Sequence, residues 1–221
     1  MCKNYLIVLL NMYYIKLIFV VISMLLSLSI GEWLMHKYIM HNTEGSFGRF
    51  ILGEQHIIHH NQVNSDMTLK EGEEHIGLYF GVWETFWISV AIMVIQRIIM
   101  YIINFDCKIT YSFGISLAGG LFYKFMWDYL HYSFHDLTDN LEINKLNPYF
   151  YWWFKNHAYH HLVKGEAKGN YNIIVPGADF LFGTYRSCVT NKEYCKENDN
   201  EICSIEESNR LLNHGFNFCE K

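Results

Sequence analysis

The sequence predicts an all-α fold: an integral membrane bundle of helices with a cytosolic, histidine-rich helical cap that holds a dinuclear metal site. Three observations predict it. Long apolar segments alternate with polar segments along the chain. Ten of the twelve histidines fall into four compact clusters. The clusters follow the ends of the apolar segments, so helices that cross a membrane would deliver all four to the same side.

The histidine clusters carry the strongest chemical signal in the chain. Two share the pattern H-x-x-H-H, and two are looser pairs; their members are His36, His41, His56, His59, His60, His131, His135, His157, His160 and His161. Residues three and four apart share a helix face, so each H-x-x-H-H cluster can turn its imidazoles into one cavity. Imidazole is a common ligand of transition metals, and ten exceed what one ion takes, so we predict two metal ions. A buried histidine on its own is more often a hydrogen-bonded core residue, but the repeated pattern disfavours that alternative.

The overall composition excludes several classes of protein. The 221 residues suffice for one domain of ordinary size. The net charge of -5 leaves no basic surface for nucleic acid. None of the six cysteines forms a C-x-x-C pair, so neither a disulfide framework nor a zinc knuckle is expected. His75 and His214 lie outside the clusters and are predicted to be ordinary polar residues.

The first 34 residues are predicted to be an N-terminal transmembrane segment. The chain is apolar over 5–34, and from Lys16 to Leu34 it approaches the ~20 residues that cross a bilayer. A cleaved signal peptide is the competing interpretation. The apolar segment continues directly into His36, which favours a retained transmembrane helix.

Two further apolar segments, 78–105 and 109–130, are separated by a short polar link. We expect an antiparallel transmembrane hairpin at about 78–130, which gives three spans in total. Small residues in its second half suit close helix packing in lipid; they are Gly114, Ser116, Ala118, Gly119 and Gly120. Most lysines and arginines lie on the histidine side, which places that side in the cytosol.

The catalytic domain is predicted to span 35–185 and to include this hairpin. An aromatic run at 149–154 follows Pro148, and the apolar segment 172–185 is too short to cross a membrane, so we expect it to pack against the domain. Residues 186–221 are predicted to be a polar C-terminal tail with a short helix near 205–212.

Two carboxylates are predicted to support the metal ligands from a second shell. Glu32 lies one helical turn before His36, and Asp128 lies three residues before His131. A carboxylate at this distance can accept the second ring proton of a ligating imidazole and orient it. The alternatives are a solvated interfacial carboxylate for Glu32 and a salt bridge from Asp128 to Lys124.

A channel for an apolar substrate is predicted beside the metals. Burying each methylene group recovers ~0.8 kcal/mol, so a long acyl chain prefers an apolar route from the bilayer. The candidate wall residues are Phe122, Phe125, Met126, Trp152 and Trp153. Packing between helices, or an aromatic belt at the membrane interface, is the alternative for each of them.

The four clusters, in this order and between apolar segments, resemble the fatty acid hydroxylase/sterol desaturase superfamily of membrane-bound non-haem di-iron enzymes. The resemblance covers about 32–185. It rests on EWLMHKYIMH from Glu32, HIIHH from His56, WDYLHYSFH from Trp127, HAYHH from His157 and the closing DFLFGT from Asp179. The four-residue gap between His36 and His41 is more similar to fatty acid 2-hydroxylases and carotenoid hydroxylases than to sterol desaturases.

The resemblance implies hydroxylation of a lipid, most simply a fatty acyl chain that arrives from the bilayer. It further implies two iron ions at the ten histidines, which bind zinc as well, and O2 as co-substrate. Electrons would come from a separate donor, such as cytochrome b5 or ferredoxin with its reductase, because no cytochrome b5 domain precedes the first span. Asp136 stands where relatives often have a further histidine.

Several alternatives remain open at this stage. Within the superfamily they are a sterol desaturase or methyl oxidase and a carotenoid hydroxylase. Outside enzymes they are a membrane metal-binding protein and an inactive homologue that serves as a scaffold. In a eukaryote the resemblance implies a multi-pass protein of a membrane like that of the endoplasmic reticulum, with its active site facing the cytosol.

Overall fold

The computed structural model describes residues 2–41, 53–63, 67, 69–70, 80–105, 108–136, 147–162 and 168–187, with side chains from residue 13 onward except at 136 and 162. Every regular element in these ranges is helical, apart from an isolated antiparallel bridge between Val63 and Leu69. The predicted all-α class is therefore confirmed for the described part of the chain. The predicted C-terminal helix near 205–212 lies outside the described residues.

The helices follow one another through two short π-helical turns. In chain order they are α1 (Cys2–Met35), the first π turn (His36–Met40), α2 (Glu54–Gln62), α3 (Val82–Ile102), α4 (Ile109–Met126), the second π turn (Trp127–His131), α5 (Tyr132–Asp136), α6 (Pro148–Leu162) and α7 (Ala178–Leu181).

The chain divides into two compact units. The apolar unit comprises Met1–Gly31 and Phe80–Phe125, and the histidine unit comprises Glu32–Tyr79 and Met126–Lys221. The N-terminal helix is thus grouped with the two later apolar helices. All ten cluster histidines belong to the histidine unit.

Two segments of the described chain are long and apolar enough to cross a membrane, Tyr13–Met40 and Val82–Ile102. They coincide with the first and second predicted spans. The third predicted span forms α4, an 18-residue helix that includes Lys124 and several glycines, and it is not among the two. The three-span topology stays a prediction.

Close packing between α3 and α4 depends on small residues. Ser116 donates to the Gln96 side chain at 3.2 Å, and a Cβ on Gly120 would overlap the hydroxyl of Ser89. Contacts therefore move towards the N-terminus of α3 as α4 advances, so the pair is antiparallel as predicted. Gly114 and Ala118 are exposed and lie off this buried face.

Gln96 joins the three helices of the apolar unit. Its side chain is fully buried, and its Nε2 donates to the Val20 carbonyl and to Ser23 Oγ, both at 3.1 Å. Its Oε1 accepts from Ser116. A buried amide in an apolar bundle is tolerated only when such bonds are made, so Gln96 favours one arrangement of α1, α3 and α4.

Candidate metal centre

The structure gathers the ten histidines into two groups of five. In each group one ring nitrogen from every member lies within 4.8 Å of all the others. Centre A consists of His36, His41, His56, His60 and His160; centre B consists of His59, His131, His135, His157 and His161. All are buried except His41 and His60, which are half-buried.

Each H-x-x-H-H cluster is divided between the two centres. Helix α2 gives His56 and His60 to centre A and His59 to centre B, and α6 does the reverse, giving two histidines to centre B and His160 to centre A. At 3.6 residues per turn, adjacent residues diverge by about 100°, whereas residues four apart differ by only about 40°. The two histidines that are four residues apart therefore belong to the same centre, and the third histidine of the cluster points to the other centre. The expectation of one cavity for each cluster was wrong.

The two π turns adjust the looser pairs. His36 and His41 are five residues apart and would lie about 140° apart on an α-helix. In a π turn the backbone hydrogen bond spans five residues, one more than in an α-helix. Here the π turn brings the rings of His36 and His41 into a stack, with centroids 5.1 Å apart. The second π turn ends at His131, whose ring stacks on Trp127 at 4.7 Å. Such turns often mark functional sites.

The ring nitrogens are spaced like the ligands of a single ion. In centre A, His56 Nε2 lies 3.1, 3.1 and 3.0 Å from the Nε2 atoms of His36, His41 and His60. In centre B, His157 Nε2 lies 3.2 Å from that of His135 and 3.2 Å from that of His161. Ligands about 2.1 Å from a metal and at right angles to each other are separated by roughly 3 Å.

Backbone carbonyls set the orientation of three imidazoles. His36 Nδ1 donates to the carbonyl of Tyr171 at 2.7 Å, and His160 Nδ1 donates to that of Gly169 at 2.9 Å. His135 Nδ1 donates to the carbonyl of Met67 at 3.1 Å. A carbonyl only accepts, so Nδ1 carries the proton, and Nε2 of the neutral ring directs its lone pair into the centre. Metal-bound histidines are held in this way.

Hydrogen bonds alone cannot satisfy centre A. A neutral imidazole Nε2 carries either a proton or a lone pair, and those of His36 and His160 are lone pairs. His56 Nε2 contacts three other Nε2 atoms, but a single proton on it could form a well-directed hydrogen bond to only one of them. A cation at the middle accepts all five lone pairs at once, so the donor set fits a metal ion.

Burial keeps these rings in the form that binds metals. It holds the pKa values of His56, His60, His157, His160 and His161 well below the usual 6.5, and repulsion from neighbouring imidazoles lowers them further. The rings are therefore neutral at physiological pH, as metal ligation requires.

The two centres meet through a pair of stacked rings. His60 of centre A and His161 of centre B have centroids 4.0 Å apart and an angle of 27° between their planes. Among the residues that the structure describes, neither ligand group includes a carboxylate. Each centre is thus an all-nitrogen site with its own ligands.

The two predicted second-shell carboxylates have different surroundings. Glu32 is 3% exposed, and its carboxylate accepts the backbone N–H groups of Ile173, Ile174 and Val175. The acceptor for His36 Nδ1 is the Tyr171 carbonyl. Direct orientation of the ligands by Glu32 or by Asp128, which is half-buried on the second π turn, stays a prediction.

The predicted channel residues are found at different degrees of burial. Phe122 and Phe125 are exposed, and Met126, Trp152 and Trp153 are half-buried. Trp153 Nε1 donates to the carbonyl of Ile174 at 3.1 Å, so this ring has a packing role. The channel stays a prediction.

Sequence reasoning missed the segment 169–175, which supports centre A. Its five consecutive amides 171–175 all donate to two buried carboxylates: two to Asp179 at 3.0 and 2.7 Å, and three to Glu32 at 2.9–3.0 Å. Its carbonyls accept from His36, His160, Asn156 and Trp153. The acidic residue of the closing DFLFGT segment was the available signal, but side-chain patterns do not reveal backbone acceptors.

Comparison with known proteins adds no relative, because no family model, curated protein or solved structure matches this chain. Interpretation of the site therefore depends on the histidine pattern and on the geometry of the two centres.

Proposed function

We propose that this chain is a membrane-bound non-haem di-iron oxygenase of the fatty acid hydroxylase/sterol desaturase superfamily that hydroxylates a lipid, most simply a fatty acyl chain. The observation that carries the proposal is the pair of adjacent five-histidine centres, which share α2 and α6. The order of the four clusters along the sequence supports the same superfamily.

The ligand number favours iron over a zinc site. Structural zinc takes four ligands, and catalytic zinc takes three with a water, whereas each centre offers five imidazoles. Histidine sites bind both metals, so zinc can replace iron in protein as isolated. Two iron ions, when bound, would supply the redox chemistry by which dioxygen oxidises an unactivated C–H bond.

The overall reaction needs a source of electrons. Hydroxylation converts R–H, O2, two electrons and two protons into R–OH and one water. The described residues of the two centres are imidazoles, which hold metals but do not store electrons. A separate one-electron donor protein, of the cytochrome b5 or ferredoxin class, fits this need.

The chain's own residues orient the ligands and limit the access of water. Backbone carbonyls hold three imidazoles with their lone pairs inward, and burial keeps the rings neutral. Trp127 and Phe134 are fully buried and pack on His131 and His157, with ring centroids 4.7 and 5.6 Å apart, respectively. Centre A, with two half-buried ligands, is the more accessible of the two.

A membrane location agrees with a lipid substrate. Two segments of the chain are long and apolar enough to span a bilayer. We propose a multi-pass protein whose histidine side faces the cytosol, since most lysines and arginines lie on that side of the predicted spans.

The test is an assay of the full-length protein in detergent or vesicles, with iron, a reducing partner and a panel of fatty acids and sterols. We expect a product that gains one oxygen atom, and labelled O2 should be its source. His160→Ala should remove the product, while Tyr149→Phe, at a side chain that is 76% exposed, should not. Tight binding of two metals without any O2-dependent product would favour the metal-binding alternative instead.

A further inference from the structure

The peptide group between Tyr171 and Asn172 connects a buried carboxylate to a ligand of centre A. Its N–H, on Asn172, donates to Asp179 Oδ2 at 2.7 Å. Its carbonyl, on Tyr171, accepts from His36 Nδ1 at 2.7 Å. Asp179 is 2% exposed, so the contact is shielded from water.

Hydrogen bonds in series strengthen one another. An amide that donates its N–H to an anion places more negative charge on its own carbonyl oxygen, and each bond in such a chain is strengthened by about 10–30%. A stronger acceptor at Nδ1 makes the opposite ring nitrogen of His36 a better metal ligand. In carboxylate–histidine–metal triads the carboxylate contacts the ring itself, whereas here one peptide group lies between them.

We propose that Asp179 is a positioning residue of centre A, which acts on His36 through the 171–172 peptide group. The inference rests on the proposed function only to the extent that centre A binds a metal ion. It gives a task to an acidic residue that lies 143 positions from His36 in the sequence.

Neighbouring hydrogen bonds hold Asp179 in place for this task. Its Oδ1 accepts the N–H of Tyr171 at 3.0 Å and the hydroxyl of Thr184 at 2.6 Å. That hydroxyl in turn accepts from Trp33 Nε1 at 2.9 Å. The carboxylate is therefore fixed from both sides.

Glu32 is a matched control on the same segment. It is also a buried carboxylate, and it accepts three backbone N–H groups, those of 173–175. Two of the three peptide groups that donate to it have carbonyls that accept from Asn156 and Trp153, not from a histidine. His160 differs as well, because the 169–170 peptide group that it contacts donates to the neutral carbonyl of Thr184.

The experiment compares the full-length protein with Asp179→Asn and Glu32→Gln in detergent micelles, with Co2+ alone as the probe. Wild type should bind two Co2+ ions. Asp179→Asn should weaken one of them by about 3- to 10-fold, less than the roughly 10- to 100-fold cost of losing a direct partner of the imidazole, and leave the other unchanged. Glu32→Gln, which affects the same segment but not the 171–172 peptide group, should lower Tm and change the Co2+ affinities less than Asp179→Asn does.

A second readout follows the ring proton of His36 directly. The Nδ1–H of a Co2+-bound imidazole gives a shifted proton NMR signal, and the signal of His36 is identified by its loss in His36→Ala. In Asp179→Asn this signal should move and exchange faster with solvent. In Thr184→Val it should move in the opposite direction, since the carboxylate then shares its charge among fewer donors.

The outcomes separate this inference from the proposed function. Failure of wild type to bind Co2+ would overturn the metal centre and, with it, both proposals. Two bound ions in wild type, with the His36 signal and both affinities unchanged in Asp179→Asn, would overturn the role of Asp179 alone. Equal losses from both centres, or equal effects of Asp179→Asn and Glu32→Gln, would reduce Asp179 to a structural residue. If Asp179→Asn does not fold, an unmoved signal in Thr184→Val overturns the inference.

Discussion

Centre A and centre B have the same number and kind of ligands but differ in their surroundings. All five histidines of centre B are buried, whereas His41 and His60 of centre A are half-buried. Two imidazoles of centre A hydrogen-bond to the segment 169–171, while His135 of centre B bonds to the Met67 carbonyl. The ligand set makes both centres competent to bind metal, and burial makes them unequal in access.

The largest effect should come from removing one ligand from each centre. His160→Ala in centre A and His131→Ala in centre B should each abolish oxygenase activity and lower the bound metal from two ions towards one. The physical reason is that each centre has its own ligand set. Elemental analysis and turnover of the purified variants measure this, and full loading with full activity in both variants would contradict the two-centre arrangement.

The second-largest effect should come from lowering the pH, which should release the metal ions. The folded pKa values of the buried histidines lie well below the unfolded value of 6.5, so below about pH 6.5 the unfolded chain binds protons that the folded chain does not. The free energy of unfolding therefore falls as pH falls, and the metal competes with more protons. Metal retention and Tm measured between pH 8 and about 5 should both decrease, and a flat profile would exclude neutral imidazole ligands.

Chelators should distinguish the two centres by rate. The half-buried ligands of centre A give a chelator or water an approach that centre B lacks. Loss of metal to excess chelator should thus occur in two phases of similar amplitude, and His160→Ala should remove the faster phase. A single phase for both ions would show that the difference in burial does not control access.

Substitutions in the apolar unit should change the stability of the protein but leave both metal centres able to bind their ions. A Cβ on Gly120 would overlap the side chain of Ser89, and one on Gly114 would meet nothing within 4 Å. Gly120→Ala should therefore cost about 1–3 kcal/mol by overpacking, while Gly114→Ala should be near neutral. Thermal unfolding of the two variants measures the difference. Similar Tm values would show that α3 and α4 are not closely packed at Gly120. Loss of a metal ion from Gly120→Ala would show that packing in the apolar unit also affects the metal centres.

The smallest effect concerns substrate length. If Met126 lines the predicted channel, Met126→Trp should shift the products towards shorter acyl chains while both metals stay bound. Mass spectrometry of the product mixture measures the shift. An unchanged chain-length profile would remove Met126 from the wall.

The sequence by itself predicted the helical class, two apolar helices and all ten histidines of the two centres. The length of an apolar segment can be counted directly along the sequence. Spacings such as H-x-x-H-H bring ligands near each other on one helix whatever the rest of the chain does. Gln96 shows the limit within the apolar unit, because its three partners on α1 and α4 cannot be read from the sequence around it.

Only the tertiary structure decided how the ligands are shared and held. Helical spacing turns His59 away from His60, but which histidines of the other elements join His59 depends on how α2 and α6 pack together. A π turn is needed to bring His41 over His36. The acceptors that orient the imidazoles are backbone carbonyls, which every residue has and no side-chain pattern marks. Asp179 connects to His36 through the peptide group of one such carbonyl, and because the two residues are 143 positions apart, only the packing of the folded chain brings them together.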